Sequence, residues 1–149
     1  MMPRATGRHG DSRYARPGLS RGDAYSRYEA IFAGVEAPFA FVDLDAMWSN
    51  ADSLLAGRND KPIRVGSSAL GCRALLDRIL KRDPGFAGVL SFTLPEALFL
   101  AEAGVRDVLV GCPAIDRAAI GRLADLAGED PEGAPTLMVD EAAHLDLIE

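Results

Sequence analysis

The segment Gly66-Ser-Ser-Ala-Leu-Gly71 has the four-residue gap of a phosphate-cradling loop, and it lies between an apolar run and a helical stretch. Such a loop needs a lysine and then a hydroxyl after its second glycine, and the sequence supplies Cys72 and Arg73. Without the amine the outer phosphates have no charge partner, and without the hydroxyl a magnesium ion loses a ligand. Only an anion resting on a helix N-terminus survives from that motif, as a generic property. Cys72 and Cys112 are the two cysteines, and His9 and His144 the two histidines. Four closely spaced ligands for a structural zinc are therefore missing, and the sequence predicts no metal site. Serine or cysteine hydrolase chemistry would have to use His144, which lies in a helical run after Asp140 and reads as a surface histidine. Both thiols read as small buried hydrophobes on apolar stripes.

The elements that would carry these residues alternate. Phe39–Asp43 reads as a strand, followed by a helix capped by Asp45 with Met47, Trp48, Ala51, Leu54 and Leu55 on one face. Pro62–Val65 reads as a second strand, and Ala69–Arg82 as a helix with Cys72, Leu75, Leu76, Ile79 and Leu80 buried. Gly88–Phe92 is a third strand. Thr93-Leu-Pro-Glu96 follows as a capping box that opens a helix running to Gly104. Asp107–Val110 is a fourth strand before a helix over Asp116–Ala127. Thr136–Val139 is a fifth, after which Asp140 caps a last helix. Apolar strands alternating with helices predict a parallel α/β sheet covered by helices. Ligands in such folds collect at the C-terminal strand ends, here Gly66-Ser67-Ser68, Thr93, Gly111-Cys112-Pro113 and Asp140-Glu141.

The chain has 149 residues, 48% hydrophobic and 26% charged, with a net charge of −6. That composition excludes collagen-like and disulfide-scaffold classes, and the length is short of the roughly 250 residues of a complete (β/α)8 barrel. Six arginines against two aspartates give residues 1–28 a local +4, whereas the rest carries ten basic and twenty acidic groups. An acidic body argues against nucleic acid as a partner. Residues 1–36, rich in Arg and Gly, read as a disordered tail, and residues 37–149 as the folded part. No apolar run approaches a membrane span and no signal sequence is evident, so the sequence predicts a cytoplasmic protein.

Four blocks resemble a known family: Pro38-Phe-Ala-Phe-Val-Asp-Leu-Asp45, Lys61-Pro-Ile-Arg-Val65, Gly88-Val-Leu-Ser-Phe-Thr-Leu-Pro-Glu-Ala97, and Gly104-Val-Arg-Asp-Val-Leu-Val-Gly111 with Pro113. They are similar to the N-terminal half of the alanine-racemase-like enzymes that bind pyridoxal 5'-phosphate (PLP). The likeness is closest to the branch of D-threonine aldolase, D-serine dehydratase and related amino acid deaminases. It implies an α/β fold that is part of a PLP-binding (β/α)8 barrel, with about four barrel strands and a leading strand. It also implies chemistry at the Cα of (D-)amino acids, with Arg64, Ser68, Thr93 and Cys112 as the cofactor-binding positions, although an arginine at a strand end equally suits a pair with a neighbouring carboxylate. In the family a lysine four residues after the arginine forms the imine with PLP. Here that position is Ser68, and a hydroxyl forms no imine.

Lys61 and Lys81 are the only lysines, and both fall at the wrong end of their elements. The resemblance therefore implies a truncated and inactive family member. The alternative is a non-enzymatic half-barrel that acts in interaction or PLP binding. Its open sheet edge would be covered by a second copy or by a partner chain.

Overall fold

The computed structural model describes residues 21–148, which fall into two compact units divided after Leu54. The expected disorder of residues 1–20 lies outside the described residues.

In the first unit, Arg21–Ile31 forms helix α1, although the sequence reading placed these residues in a disordered tail. The helix has no apolar stripe to reveal it. Aromatic packing holds it instead: the Tyr28 and Phe41 rings lie 4.9 Å apart, Phe32 and Phe41 4.5 Å, and Phe32 and Phe39 5.0 Å. Phe39–Asp43, expected as a strand, is neither strand nor helix, because no ladder partner lies beside it among the described residues. Its last residue caps the next helix, α2 (Leu44–Gly57). Asp43 Oδ1 accepts from the Ala46 N–H at 3.0 Å, and Asp43 Oδ2 accepts from the Tyr28 hydroxyl at 2.6 Å. Asp43 thus takes the capping place expected for Asp45. Of the apolar face read for α2, Ala51 is buried and Leu54 is exposed.

The second unit is built on three parallel strands in the order β1-β2-β3: β1 (Ile63–Gly66), β2 (Phe86–Ser91) and β3 (Val108–Val110). Parallel strands need crossovers, and helices supply them. After β1 come α3 (Ser67–Leu70) and α4 (Arg73–Leu80), after β2 comes α5 (Leu94–Glu102), and after β3 comes α6 (Arg117–Glu129). A short helix, α7 (Ala142–Ile148), follows. The single helix expected over Ala69–Arg82 is broken because Gly71 adopts a left-handed φ of 57°, which ends α3 and restarts the chain at Cys72. Cys72 is consequently exposed, while Leu76 and Ile79 remain buried.

The core lies where α5 packs on β2, β3 and α6, with Val89, Ala97, Leu98 and Val110 inaccessible to solvent. Against β1, the register of β2 slips by one residue: Ile63 pairs with Phe86, and Val65 with Val89. Gly88, at φ 78°, takes up the extra residue, so Phe86 and Val89 are both buried. Thr136–Val139 does not form the expected fifth strand. It meets the sheet at a single bridge, where the Thr136 N–H donates to the Val108 carbonyl at 2.8 Å and the Val110 N–H to the Thr136 carbonyl at 2.9 Å. Where the resemblance implies about four barrel strands and a leading strand, the described residues form a three-stranded open sheet.

Candidate functional site

At the C-terminal ends of β2 and β3, the turns into α5 and α6 enclose a cleft of about 570 Å³. Phe92, Leu94, Pro95, Pro113 and Ile115 make its apolar walls, and Thr93, Cys112 and Asp116 are its polar side chains. Local capping positions these groups. Thr93 Oγ1 accepts from the Glu96 N–H at 3.4 Å, which fixes the start of α5. The reciprocal half of the expected capping box is absent, because the Glu96 carboxylate instead accepts the Ser91 hydroxyl at 2.7 Å. Asp116 caps α6 by accepting from the N–H groups of Ala118 (3.0 Å) and Ala119 (3.2 Å). Cys112 is a half-buried free thiol.

The four residues singled out from the sequence are only partly brought together. Thr93 and Cys112 share the cleft. Ser68 lies on the first turn after β1, at the same end of the sheet, but is exposed and does not line the cleft. Arg64 turns away toward the beginning of β3, where Nη1 and Nη2 donate to Asp107 Oδ1 at 2.9 and 2.7 Å. Gly88 makes this cross-strand pair feasible. A Cβ there would lie 2.4 Å from the Asp107 carbonyl oxygen and 2.5 Å from its carboxylate.

Sequence reasoning missed Phe92, Ile115 and Asp116. Phe92 and Ile115 are 58% and 71% exposed, and large apolar residues in the turns between strand and helix were the available signal.

A second, smaller hollow of about 210 Å³ lies beside α3, α4 and α5 and includes Ser67, Cys72, Arg73 and Glu96. Ser67, Arg73 and Glu96 are engaged within the fold, and Cys72 is an exposed free thiol. Ser67 donates to the Leu90 carbonyl at 3.3 Å, and the Arg73 guanidinium sits 5.9 Å from the Phe99 ring centroid.

His144, expected on the surface, has a side chain only 12% exposed. Its Nδ1 lies 2.9 Å from Asp140 Oδ1 but off the hydrogen-bonding line. Asp140 therefore contacts the imidazole instead of capping the last helix. Glu141 completes a trio whose ligand atoms lie within 4.8 Å of one another, although two of the three residues are exposed acids.

No protein-family model matches the chain, and no curated protein is significantly similar to it. What is defined is a mixed α/β protein with a small parallel sheet and a cleft at its C-terminal edge. Among the described residues, no helix is long and apolar enough to cross a membrane.

The chemistry of the donors tests the fit to PLP. The cofactor needs an amine for its imine and positive charge or free N–H groups for its phosphate. Ser68 stands at the expected amine position, and no lysine or arginine among the described residues lines the cleft. Lys61 precedes β1, and Lys81 follows α4, whose chain leads to the start of β2, so both amines belong to the opposite end of the sheet. The residues present do not fit the cofactor's covalent anchor, because no amine stands where the imine would form.

Proposed function

We propose that this chain is a non-catalytic relative of the PLP-dependent amino acid deaminases, aldolases and racemases, its α/β body serving as a binding unit. The four blocks of sequence resemblance support the kinship. The observation that carries the loss of catalysis is Ser68, on the first turn after β1, where the family's imine-forming lysine is expected. Without that amine, neither the covalent anchor nor its proton-transfer role is supplied by this chain. Two unpaired cysteines, one of them exposed, favour a reducing compartment such as the cytoplasm.

Incubation with PLP, borohydride reduction and intact-mass measurement tests this. The natural chain is expected to show no stoichiometric adduct and no turnover of D-amino acids. Ser68→Lys is expected to gain one adduct, located by peptide mapping at residue 68. A stoichiometric adduct on the natural chain, or turnover, overturns the reading.

A role in association has its own support. The segment Thr136–Val139 joins the sheet at one residue, and Met138 and Val139 remain 46% and 41% exposed. A second copy or a partner chain covering that edge would remove this apolar surface from water.

A further inference from the structure

The cleft between the two turns differs in charge from the site that the family resemblance implies. Moving a phosphate dianion out of water without a cation or free N–H groups is strongly unfavourable. Among the described residues the cleft offers no cation, and the two helix N-termini that border it are already capped. No basic residue among the described ones lines it, and the one carboxylate they bring to it, Asp116, already occupies the N-terminus of α6 through two backbone hydrogen bonds. The N-terminus of α5 is likewise served by Thr93. A phosphate entering there would meet a carboxylate in the place where a phosphate site would present bare amides.

What the cleft does offer is apolar surface and two donors. The Thr93 hydroxyl accepts from a backbone amide, but its own proton has no protein acceptor among the described residues. The Cys112 thiol likewise has no protein partner there. The volume falls within the range of small-molecule sites, about 300–1,000 Å³.

We infer that this cleft binds an uncharged, largely apolar small molecule carrying an acceptor oxygen, and that it rejects phosphorylated ligands. The acceptor takes the Thr93 or Cys112 proton, and the apolar body packs on Phe92, Pro113 and Ile115. The inference rests on the non-catalytic reading, since a working cofactor site would need an amine at this end and a cation in the cleft.

The test uses the full chain and prodan, a neutral dimethylaminonaphthalene ketone whose emission shifts to the blue in apolar surroundings. Prodan is expected to bind with a blue shift and, in a Cys72→Ser background, to slow alkylation of Cys112 by iodoacetamide. Ile115→Asp is expected to weaken binding by about tenfold, and the exposure of Ile115 lets the fold tolerate the change. Excess inorganic phosphate or PLP is expected to leave the prodan signal unchanged. Absence of prodan binding, displacement by either phosphate compound, or binding that neither protects Cys112 nor responds to Ile115→Asp overturns the inference. The imine adduct reports on the non-catalytic reading alone, so the two failures are distinguishable.

Discussion

Strand β2 and the segment Thr136–Val139 are both short apolar runs, and the molecule treats them differently. β2 is hydrogen-bonded along both sides, lies beneath α4 and α5, and leaves Val89 without solvent contact. The later segment touches β3 at Thr136 alone and leaves Met138 and Val139 exposed. Intrinsic strand preference does not separate the two, since both are rich in branched and long apolar residues. Neighbours do. A central strand satisfies its backbone on two sides and buries side chains under a helix, whereas the edge segment has one partner strand and little cover. The functional surface follows from this inequality. The cleft grows from the ends of the well-held strands β2 and β3, while the edge segment offers unburied apolar area.

The comparison breaks most directly at Gly88. Alanine there would have to adopt φ 78° and place its Cβ 2.4 Å from the Asp107 carbonyl oxygen. The backbone must shift, and the Arg64–Asp107 pair that lies over this position shifts with it. The expected loss for Gly88→Ala is about 3 kcal/mol or more, read from the urea midpoint at unchanged slope. A loss below about 1 kcal/mol would mean that the centre of the sheet yields as easily as its edge.

A matched pair of substitutions sharpens the contrast further. Val89→Ala and Val139→Ala remove the same two methyl groups, one from a site with no exposure and one from a site that is 41% exposed. The first is expected to cost about 2 kcal/mol through lost burial and a residual cavity, and the second under about 0.5 kcal/mol. Equal losses would show that the 136–139 segment is buried in solution, most simply by a second chain on that edge.

The same contrast explains what was legible in the sequence. Strands β1, β2 and β3 stand out because apolar runs bounded by glycine, proline and capping residues meet partners on the same pattern. Asp116 and Thr93 announce their helices because an N-cap acts on amides two or three residues away. Phe39–Asp43 and Thr136–Val139 carry equally good local signals, but a strand is completed by a partner that local pattern does not specify. Helix α1 escaped notice for the opposite reason. It has no periodic stripe and is held by rings at Phe39 and Phe41, later in the chain. At the site, Thr93 and Cys112 were legible from their places after strands. For Arg64 the alternative of a carboxylate pair was legible and is what the structure shows, but its partner was not, because Asp107 lies forty-three residues away and the pair needs the missing side chain of Gly88.

The smallest effect expected concerns how the edge segment is tied down. Asp130, just after α6, pairs with Arg106, just before β3, and also accepts from the Gly133 N–H at 3.1 Å. The hydrogen bond and charge of Arg106 hold the Asp130 carboxyl below its ordinary value of 3.8, against a smaller opposing effect of desolvation. A depressed carboxyl stabilises the folded form above its unfolded pKa, and that contribution disappears as pH falls through the folded value. Between pH 6 and 8 the pair is therefore fully formed and pH has no effect through it; the change begins only as pH drops toward 3.8 and continues below it. Because both partners are exposed, the shift in global stability should be slight and diminish in salt. The local readout is amide exchange at Gly133, Ala134 and Thr136, whose N–H groups bond to Asp130 or to Val108. Their protection is expected to fall with acidification in the natural chain while Val89 stays protected, and Asp130→Asn is expected to flatten that pH dependence. Loss of protection at Val89 over the same range would show that centre and edge open as one unit, and the difference between them would then lie in exposure alone.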